Sequence, residues 1–248
     1  MKVMVAVKRV VDPDVVPDPV LKDGRLTVSG PATVNPFCET ALEAAIQLKE
    51  KGAATEVVAV SAGEAECQEQ LRTALALGAD RAVHLAAGTG LSPLIVAKAL
   101  LHIYNRETPD LLLFGRLGVG EDFGQTGPMV AALAGIPVAT AVTALDLDGT
   151  AMTVTRDVGA GSQTLGLELP AALTVDLRLA EPRYATMPMI MRARTKPIET
   201  VDLAGLDIKS GQTQRVLAVN EPVQQRKQNL FQDLDELVNF LTETGGAA

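Results

Sequence analysis

The sequence predicts an α/β fold built on a doubly wound, mostly parallel sheet and followed by an extended C-terminal arm. Two observations support this prediction. Over the first two-thirds of the 248 residues, short apolar runs alternate with single helical segments, a pattern typical of parallel strands joined by right-handed crossovers. After Arg178 this periodicity is lost. We therefore expect an α/β domain over residues 1–178 and a partner-binding arm over residues 179–248.

The strands of the sheet are predicted from two kinds of pattern. Fully apolar runs, which suit strands buried on both faces, occur at Val3–Val7, Glu56–Val60, Ala82–Leu85 and Leu111–Phe114. Runs separated by Gly-rich turns without helices predict an antiparallel extension and lie at Ala139–Leu147, Ala151–Asp157 and Leu173–Leu177. Residues Arg25–Val34 alternate weakly around Gly30-Pro31, which predicts a hairpin or a pair of edge strands.

Helix signals lie between these strands. Asn35 and Ser92 are capping residues followed by proline at the first helical position, the usual order at a helix start. The helices are expected at Pro36 to Gly52, Ala65–Leu77, Ser92 to Glu107, and Gln125 to Ala134. Three prolines between Ala180 and Pro197 oppose one long helix there, and residues 198–229 are expected to be loop-like. A terminal amphipathic helix presents Leu230, Leu234, Leu237, Val238 and Leu241 on one face.

Composition excludes several classes of protein. The net charge of −8 and the absence of Trp argue against a nucleic-acid binder, which needs basic grooves and stacking surfaces. Two cysteines without CxxC spacing argue against a disulfide scaffold or a zinc module. The sequence has no apolar run of transmembrane length and no signal-peptide pattern. These features predict a soluble cytoplasmic protein without a targeting segment.

Four loops are candidates for ligand binding because they follow strands at the carboxyl edge of the predicted sheet. They are Ala6–Arg9, Asn35–Cys38, Ser61–Gly63 and Gly115–Gly127. The last is rich in glycine and enters a helix, so backbone N–H groups there could hold a phosphate; a plain flexible turn is the alternative. It matches neither a Walker A nor a GxGxxG motif.

No catalytic or metal-ligating set is predicted. Cys38 could be an activated thiolate at a helix start, but a packed small side chain is the simpler interpretation because no histidine partner is evident. Glu121 and Asp122 could bind Mg²⁺, although a solvated acidic turn is favoured. His84 is expected to be structural. The residues predict a protein that binds a nucleotide without turning it over.

The segment Arg178–Lys196 differs in charge from the rest of the chain. It holds five bases and one acid, a net +4, which leaves −12 for the remainder against −8 overall. Three methionines and an isoleucine lie between the bases. Flexible apolar side chains flanked by bases predict a docking loop for an acidic partner, with a core-packed connector as the alternative.

Several stretches of the chain resemble the beta subunit of electron transfer flavoproteins. They are MVAVKRVVD at Met4–Asp12, NPFCETALEAAIQLKE at Asn35–Glu50, RTALALGADRAVHL at Arg72–Leu85 and LPAALTVDLRLAEPRYATMPMIMRARTKPIE at Leu169–Glu199. The last matches the family's signature segment. The resemblance implies a Rossmann-like domain of the adenine-nucleotide-binding type and a heterodimer with an alpha subunit, which holds the redox-active FAD. It also implies that the C-terminal arm wraps around that subunit.

The resemblance further implies a structural AMP in this chain and electron transfer from acyl-CoA dehydrogenase-type flavin dehydrogenases to a quinone reductase or another acceptor. The implied AMP residues are Ala6, Asn35, Pro36, Phe37, Cys38, Ala62, Gly118, Val119, Gly120, Glu121, Asp122, Phe123, Gly124, Gln125, Thr126, Gly127, Pro128 and Met129. The implied dehydrogenase-recognition residues are Arg183, Tyr184, Ala185, Thr186, Met187, Pro188, Met189, Ile190, Met191, Arg192 and Arg194. Met187 takes the place of the family's anchoring leucine and keeps its apolar character.

Two alternatives remain at this point. An electron-bifurcating relative would bind a second FAD where others bind AMP, and the open Gly118–Gly124 loop could allow it. Asn35–Cys38 and Gln125-Thr126-Gly127 look more like the AMP type. A stand-alone nucleotide-binding regulatory domain would have no alpha partner and would leave the basic segment and the terminal helix unexplained.

Overall fold

The structure is a computed structural model that describes residues 1–15, 19–22, 25–206, 208, 217–220 and 229–243. The strands in these residues are β1 Lys2–Ala6, β2 Arg9–Val11, β3 Val20–Lys22, β4 Arg25–Thr27, β5 Ala32–Val34, β6 Glu56–Gly63, β7 Arg81–Ala86, β8 Leu111–Gly115, β9 Val138–Asp148, β10 Ala151–Asp157, β11 Ser162–Glu168, β12 Ala171–Val175 and β13 Ile198–Asp202. The α-helices are α1 Pro36–Glu50, α2 Cys67–Leu77, α3 Pro93–Glu107, α4 Thr126–Ala134, α5 Met187–Thr195 and α6 Leu234–Glu243. None of these helices is long and apolar enough to cross a membrane.

Nine strands form the main sheet in the order β11-β10-β9-β12-β8-β1-β6-β7-β13. In this spatial order, every two adjacent strands from β9 through to β13 are parallel. The two strands beyond β9, β10 and β11, add an antiparallel extension at that side of the sheet. The predicted fold class, a mostly parallel doubly wound sheet, is therefore confirmed. The antiparallel extension is confirmed for the pairing of β9 with β10. Its assignment at Leu173–Leu177 was wrong, because this run forms β12, which lies parallel between β9 and β8.

Helices cover both faces of the sheet, and the sheet separates two apolar cores. On one face, Leu42 of α1 and Leu71 of α2 are fully buried against alternate residues of the strands. On the other, Leu100 and Ile103 of α3 pack with Val130 of α4. The parallel strands β1, β6, β7, β8 and β12 are buried on both faces, which is why they lack polar alternation in the sequence.

Of the two predicted helix caps, the one at Ser92 is confirmed and the one at Asn35 is confirmed only in its position. Ser92 caps α3, and its Oγ accepts a hydrogen bond from the N–H of Ile95 at 3.4 Å. Asn35 occupies the cap position of α1 with Pro36 in the first turn, but its side chain makes no cap hydrogen bond. The Asn35 amide is used elsewhere, in the loop contacts described below.

The structure differs from the predicted secondary structure in three places. Within Arg25–Val34 the hairpin alternative is wrong, because β4 pairs with β3 and β5 pairs with β2; each is an edge strand of its own two-stranded sheet. No continuous long helix spans Ala180 to Pro197, as expected, but the short helix α5 was not predicted there; Pro188 lies in its first turn, where a missing N–H costs nothing. The start of the expected loop at residues 198–229 forms β13, which extends the main sheet beyond residue 178. Much of the remainder of that loop lies outside the described residues.

The chain divides into two compact units, of which the larger comprises Met1–Pro19 and Val28–Arg215. The smaller comprises Val20–Thr27 and Val216–Ala248. The smaller unit contains the predicted terminal helix as α6, whose Leu234 and Val238 are 71% and 51% exposed. Phe231, which precedes α6, contacts Phe240 within it, with ring centroids 5.2 Å apart.

Candidate functional site

The carboxyl edge of the main sheet carries a cavity of about 330 Å³, within the range of small-molecule sites. The loops after β1, β6, β7 and β8 meet there, together with the first residues of α1, α2, α3 and α4. Because the first N–H groups of a helix have no partner within that helix, several donors face this region. Their dipoles add positive potential, which favours an anion.

Eleven of the eighteen residues predicted to bind a nucleotide line this cavity. They are Ala6, Asn35, Cys38, Ala62, Gly118, Glu121, Phe123, Gly124, Gln125, Thr126 and Gly127. The other seven belong to the same loops and helix starts but do not border it. They are Pro36, Phe37, Val119, Gly120, Asp122, Pro128 and Met129.

One wall of the cavity was missed in the sequence. It is the loop after β7 with the first turns of α3, and it contributes Gly88, Thr89, Gly90, Leu91, Pro93, Val96 and Leu100. The rule that selected the other loops also applies here, because Gly88-Thr89-Gly90 follows a parallel strand and precedes a Ser-Pro helix start. Together with Phe114, this wall gives the cavity an apolar side.

Other residues of the cavity lining are polar and charged. Lys8 and Arg9 follow β1, while Glu64 and Glu66 follow β6. The Lys8 ammonium forms an ion pair with the Glu121 carboxylate and so joins the β1 loop to the Gly-rich loop. Both side chains are substantially exposed, so this pair is available for rearrangement around an anionic ligand.

Asn35 connects three of the loops through its backbone and its amide. Its backbone N–H donates to the Lys8 carbonyl at 2.9 Å. Its Nδ2 donates to the Leu117 carbonyl at 2.8 Å, and its Oδ1 accepts from the N–H of Val119 at 3.1 Å. The residue is only 1% exposed, so these bonds fix the start of the Gly-rich loop against α1.

Close packing explains two glycines at this edge. A Cβ at Gly115 would lie 2.8 Å from Cβ of Phe37, and one at Gly127 would lie 2.7 Å from Cγ2 of Thr174. Both distances are shorter than real contacts allow. Glycine at these positions lets α1 and α4 sit directly on β8 and β12, which brings their N-termini to the cavity.

Cys38 and Cys67 both line the cavity, and both are buried. Burial raises the pKa of the Cys38 thiol, although Asn35 donates a hydrogen bond to its sulfur at 3.3 Å. Burial also raises the pKa of the Cys67 thiol. A raised pKa disfavours the thiolate at neutral pH, so Cys38 is a packed side chain rather than an activated nucleophile.

His84 holds a cavity loop in place, as its predicted structural role requires. The ring is 1% exposed. Its Nε2 lies 3.0 Å from the carbonyl oxygens of Gly63 and Glu64, and its Nδ1 lies 3.3 Å from Nε2 of Gln68. Nε2–H donates to the two carbonyls, which leaves Nδ1 to accept from the Gln68 amide.

The predicted docking segment forms an extended stretch followed by α5. Tyr184, Met187 and Met191 are 95%, 66% and 52% exposed, and Arg192 and Arg194 are also exposed. On the other side of the segment, Ala185 and Ile190 pack against the core. The segment therefore presents a methionine and arginine surface.

Three bases of this segment are used within the fold. Arg178 pairs with Asp176 and Asp157. Lys196 donates from Nζ to the Ala79 carbonyl at 2.9 Å. Arg183 pairs with Glu43 and Glu50 of α1 at 2.8 and 2.6 Å.

Comparison with known proteins agrees with this architecture. The model of the electron transfer flavoprotein domain matches residues 24–206. The electron transfer flavoprotein subunit beta, mitochondrial, of Arabidopsis thaliana is 43% identical over 247 residues, which is 97% of each chain. The electron transfer flavoprotein beta subunits of Mus musculus and Homo sapiens are 42% and 41% identical over 253 residues, covering 99% of this chain and 98% of theirs. With a matching domain model and relatives of this identity over nearly its whole length, the chain belongs to the beta-subunit family of the electron transfer flavoproteins.

Proposed function

We propose that this chain pairs with an FAD-bearing alpha subunit and holds a structural AMP in the carboxyl-edge cavity. In this proposal the alpha-subunit FAD accepts electrons from acyl-CoA dehydrogenase-type enzymes and passes them to a quinone reductase or another acceptor. The chain itself positions the FAD domain of the alpha subunit, binds the nucleotide and docks the dehydrogenase, and it performs no bond chemistry. Its predicted cytoplasmic location stays a prediction, and the Arabidopsis relative is named mitochondrial.

The observation that carries the nucleotide assignment is the chemistry of the cavity lining. An adenine needs an apolar slot, which Val96, Leu100 and Phe114 supply. A phosphate needs N–H donors and positive potential, which the start of α4 and Lys8 supply. The apolar slot and the phosphate donors together fit a mononucleotide. Binding through backbone N–H groups requires no reactive side chain.

The experiment is acid extraction of the purified heterodimer, followed by chromatography of the released nucleotides. One FAD and one AMP per heterodimer are expected. Two FAD and no AMP would replace this proposal with the bifurcating alternative, in which a second FAD occupies the cavity. A stable monomer that purifies without an alpha subunit would favour the regulatory-domain alternative.

Docking is assigned to the exposed methionines of α5. We expect Met187→Ala to weaken reduction of the heterodimer by a substrate-reduced acyl-CoA dehydrogenase, because the change removes an apolar anchor. Truncation of such an anchor costs about 1–2 kcal/mol, or roughly tenfold in KM for the dehydrogenase. Stopped-flow measurement of flavin reduction tests this, with flavin content unchanged.

Val158→Ala is the matched control for this substitution. Val158 is 47% exposed and lies on the turn between β10 and β11, away from α5 in the sequence. Its loss should leave the reduction rate as in the parent protein. If Met187→Ala behaves in the same way, the docking assignment is wrong.

A further inference from the structure

The C-terminal end of α5 is held by a side chain from α2. Nη1 of Arg72 donates to the Ala193 carbonyl at 2.8 Å and also to the Lys196 carbonyl. Ala193 lies in the last turn of α5, where its carbonyl also accepts a weak bond from the Lys196 N–H at 3.3 Å, and Lys196 is the residue that follows the helix. Carbonyls at this end of a helix lack the full set of intrahelical donors, so the guanidinium supplies the missing one. A guanidinium there also meets the negative end of the helix dipole, so the contact is favourable on both counts.

The polypeptide that leads into α5 is fixed by an arginine of its own, which donates to side chains of another helix. Arg183 donates to both oxygens of Glu43 and to both oxygens of Glu50, and these two acids lie on α1. Glu43 is 5% exposed. Burial alone would raise its pKa, but the hydrogen bonds from Arg183 and Gln47 hold the pKa below its usual range. The acid is therefore charged and paired at neutral pH.

α5 depends on such anchors because it is short. A helix of nine residues is marginal on its own. Apart from the buried Ala193, most of its side chains are exposed or only partly covered. Its orientation is set by packing against α2 and by contacts at its two ends.

We propose that Arg72 is a positioning residue for dehydrogenase docking: it caps α5 from α2 and holds the Met187–Met191 face in the orientation that a partner binds. The inference rests on the proposed docking function of α5. A surface already ordered before contact loses less conformational entropy on binding. The contacts that the structure gives the Arg72 guanidinium are to the carbonyls of Ala193 and Lys196, so its proposed effect on docking runs through α5.

The test compares Arg72→Gln with Arg72→Lys in the purified heterodimer, using a substrate-reduced acyl-CoA dehydrogenase as the partner. For Arg72→Gln we expect KM for the dehydrogenase to rise about threefold to tenfold, while kcat, flavin content and nucleotide content are unchanged. Arg72→Lys restores a cation at the carbonyls and should recover part of the loss. Hydrogen exchange of the amides of residues 190–196 should accelerate in Arg72→Gln.

Arg81→Gln is the control for loss of a paired guanidinium, since Arg81 contacts Glu56 and Glu107 and not α5. Its KM should equal that of the parent protein. An unchanged KM in Arg72→Gln, when Met187→Ala raises it, would overturn the positioning role and leave the docking function intact. A KM unchanged in both variants would overturn the docking function itself. A fall in kcat and flavin content without a KM effect would show that Arg72 only stabilises the fold.

Discussion

At the scale of single residues, the amide of Asn35 organises the candidate site. Truncation to Ala would leave the Leu117 carbonyl and the Val119 N–H without their partner. An unsatisfied buried group costs about 1–3 kcal/mol, so the Gly-rich loop should lose its fixed position. We expect Asn35→Ala to lower the nucleotide content of the purified heterodimer severalfold, as measured by acid extraction and chromatography.

The control for this prediction is Asn105→Ala, since Asn105 is an exposed asparagine on α3. Its nucleotide content should equal that of the parent protein. Asn35→Asp keeps an acceptor for the Val119 N–H but has no donor for Leu117, so an intermediate content is expected. Full nucleotide occupancy in Asn35→Ala would contradict the role given to this amide.

At the scale of elements, the position of α4 depends on glycine at its first turn. Gly127 faces Thr174 of β12 and Phe114 of β8 too closely for a Cβ. Gly127→Ala should push the start of α4 away from the sheet and displace its N–H groups from the cavity. Overpacking of this kind costs about 1–3 kcal/mol, so we expect a fall in Tm of roughly 3–10 °C together with lost nucleotide.

Gly166→Ala is the control that separates the steric effect of an added Cβ from other effects of replacing a glycine. Gly166 lies in β11, and a Cβ there meets no atom within 4 Å. Differential scanning calorimetry should show a Tm close to that of the parent for this variant. An equal loss in both variants would mean that the close contact with Thr174 does not set the position of α4.

At the scale of the whole molecule, two paired carboxylates make stability depend on acid pH. Glu107 is the last residue of α3. Burial alone would raise its pKa, but hydrogen bonds from Arg81 and Arg106 outweigh this effect and hold the pKa at about 2. Asp176 directly follows β12, and hydrogen bonds from Arg178 and Arg116 likewise lower its pKa to about 2.

Because these folded-state pKa values lie below the ordinary values of 4.5 and 3.8, both groups stabilise the fold fully above about pH 5. The contribution is lost as the pH falls toward 2. Glu107→Gln should lower stability at pH 7 by about 2 kcal/mol and weaken the fall in Tm between pH 5 and pH 3. Thermal unfolding of both proteins across this pH range is the measurement. Parallel Tm curves would contradict the assignment to Glu107.

The differences between prediction and structure arise from particular long-range contacts. β13 was missed because its sequence, IETVD, is short and polar, and it becomes a strand only by pairing with β7. α5 was missed because Pro188 counts as a helix breaker in isolation. The loop at Gly88–Leu91 was missed although it obeys the same rule as the loops that were found.

The sequence by itself determined the mostly parallel sheet, the order of its helices and the loops of the carboxyl edge, because apolar periodicity, caps and glycines are local properties. The family followed from the resemblance of four stretches of the chain to known beta subunits. Only the tertiary structure decided which acids pair with the bases of the docking segment, since Arg183 pairs with Glu43 on α1 and Arg178 pairs with Asp157 on β10. It also decided that Asn35 serves the Gly-rich loop instead of its own helix. Side-chain partners of this kind are set by packing between distant segments, which no local pattern encodes.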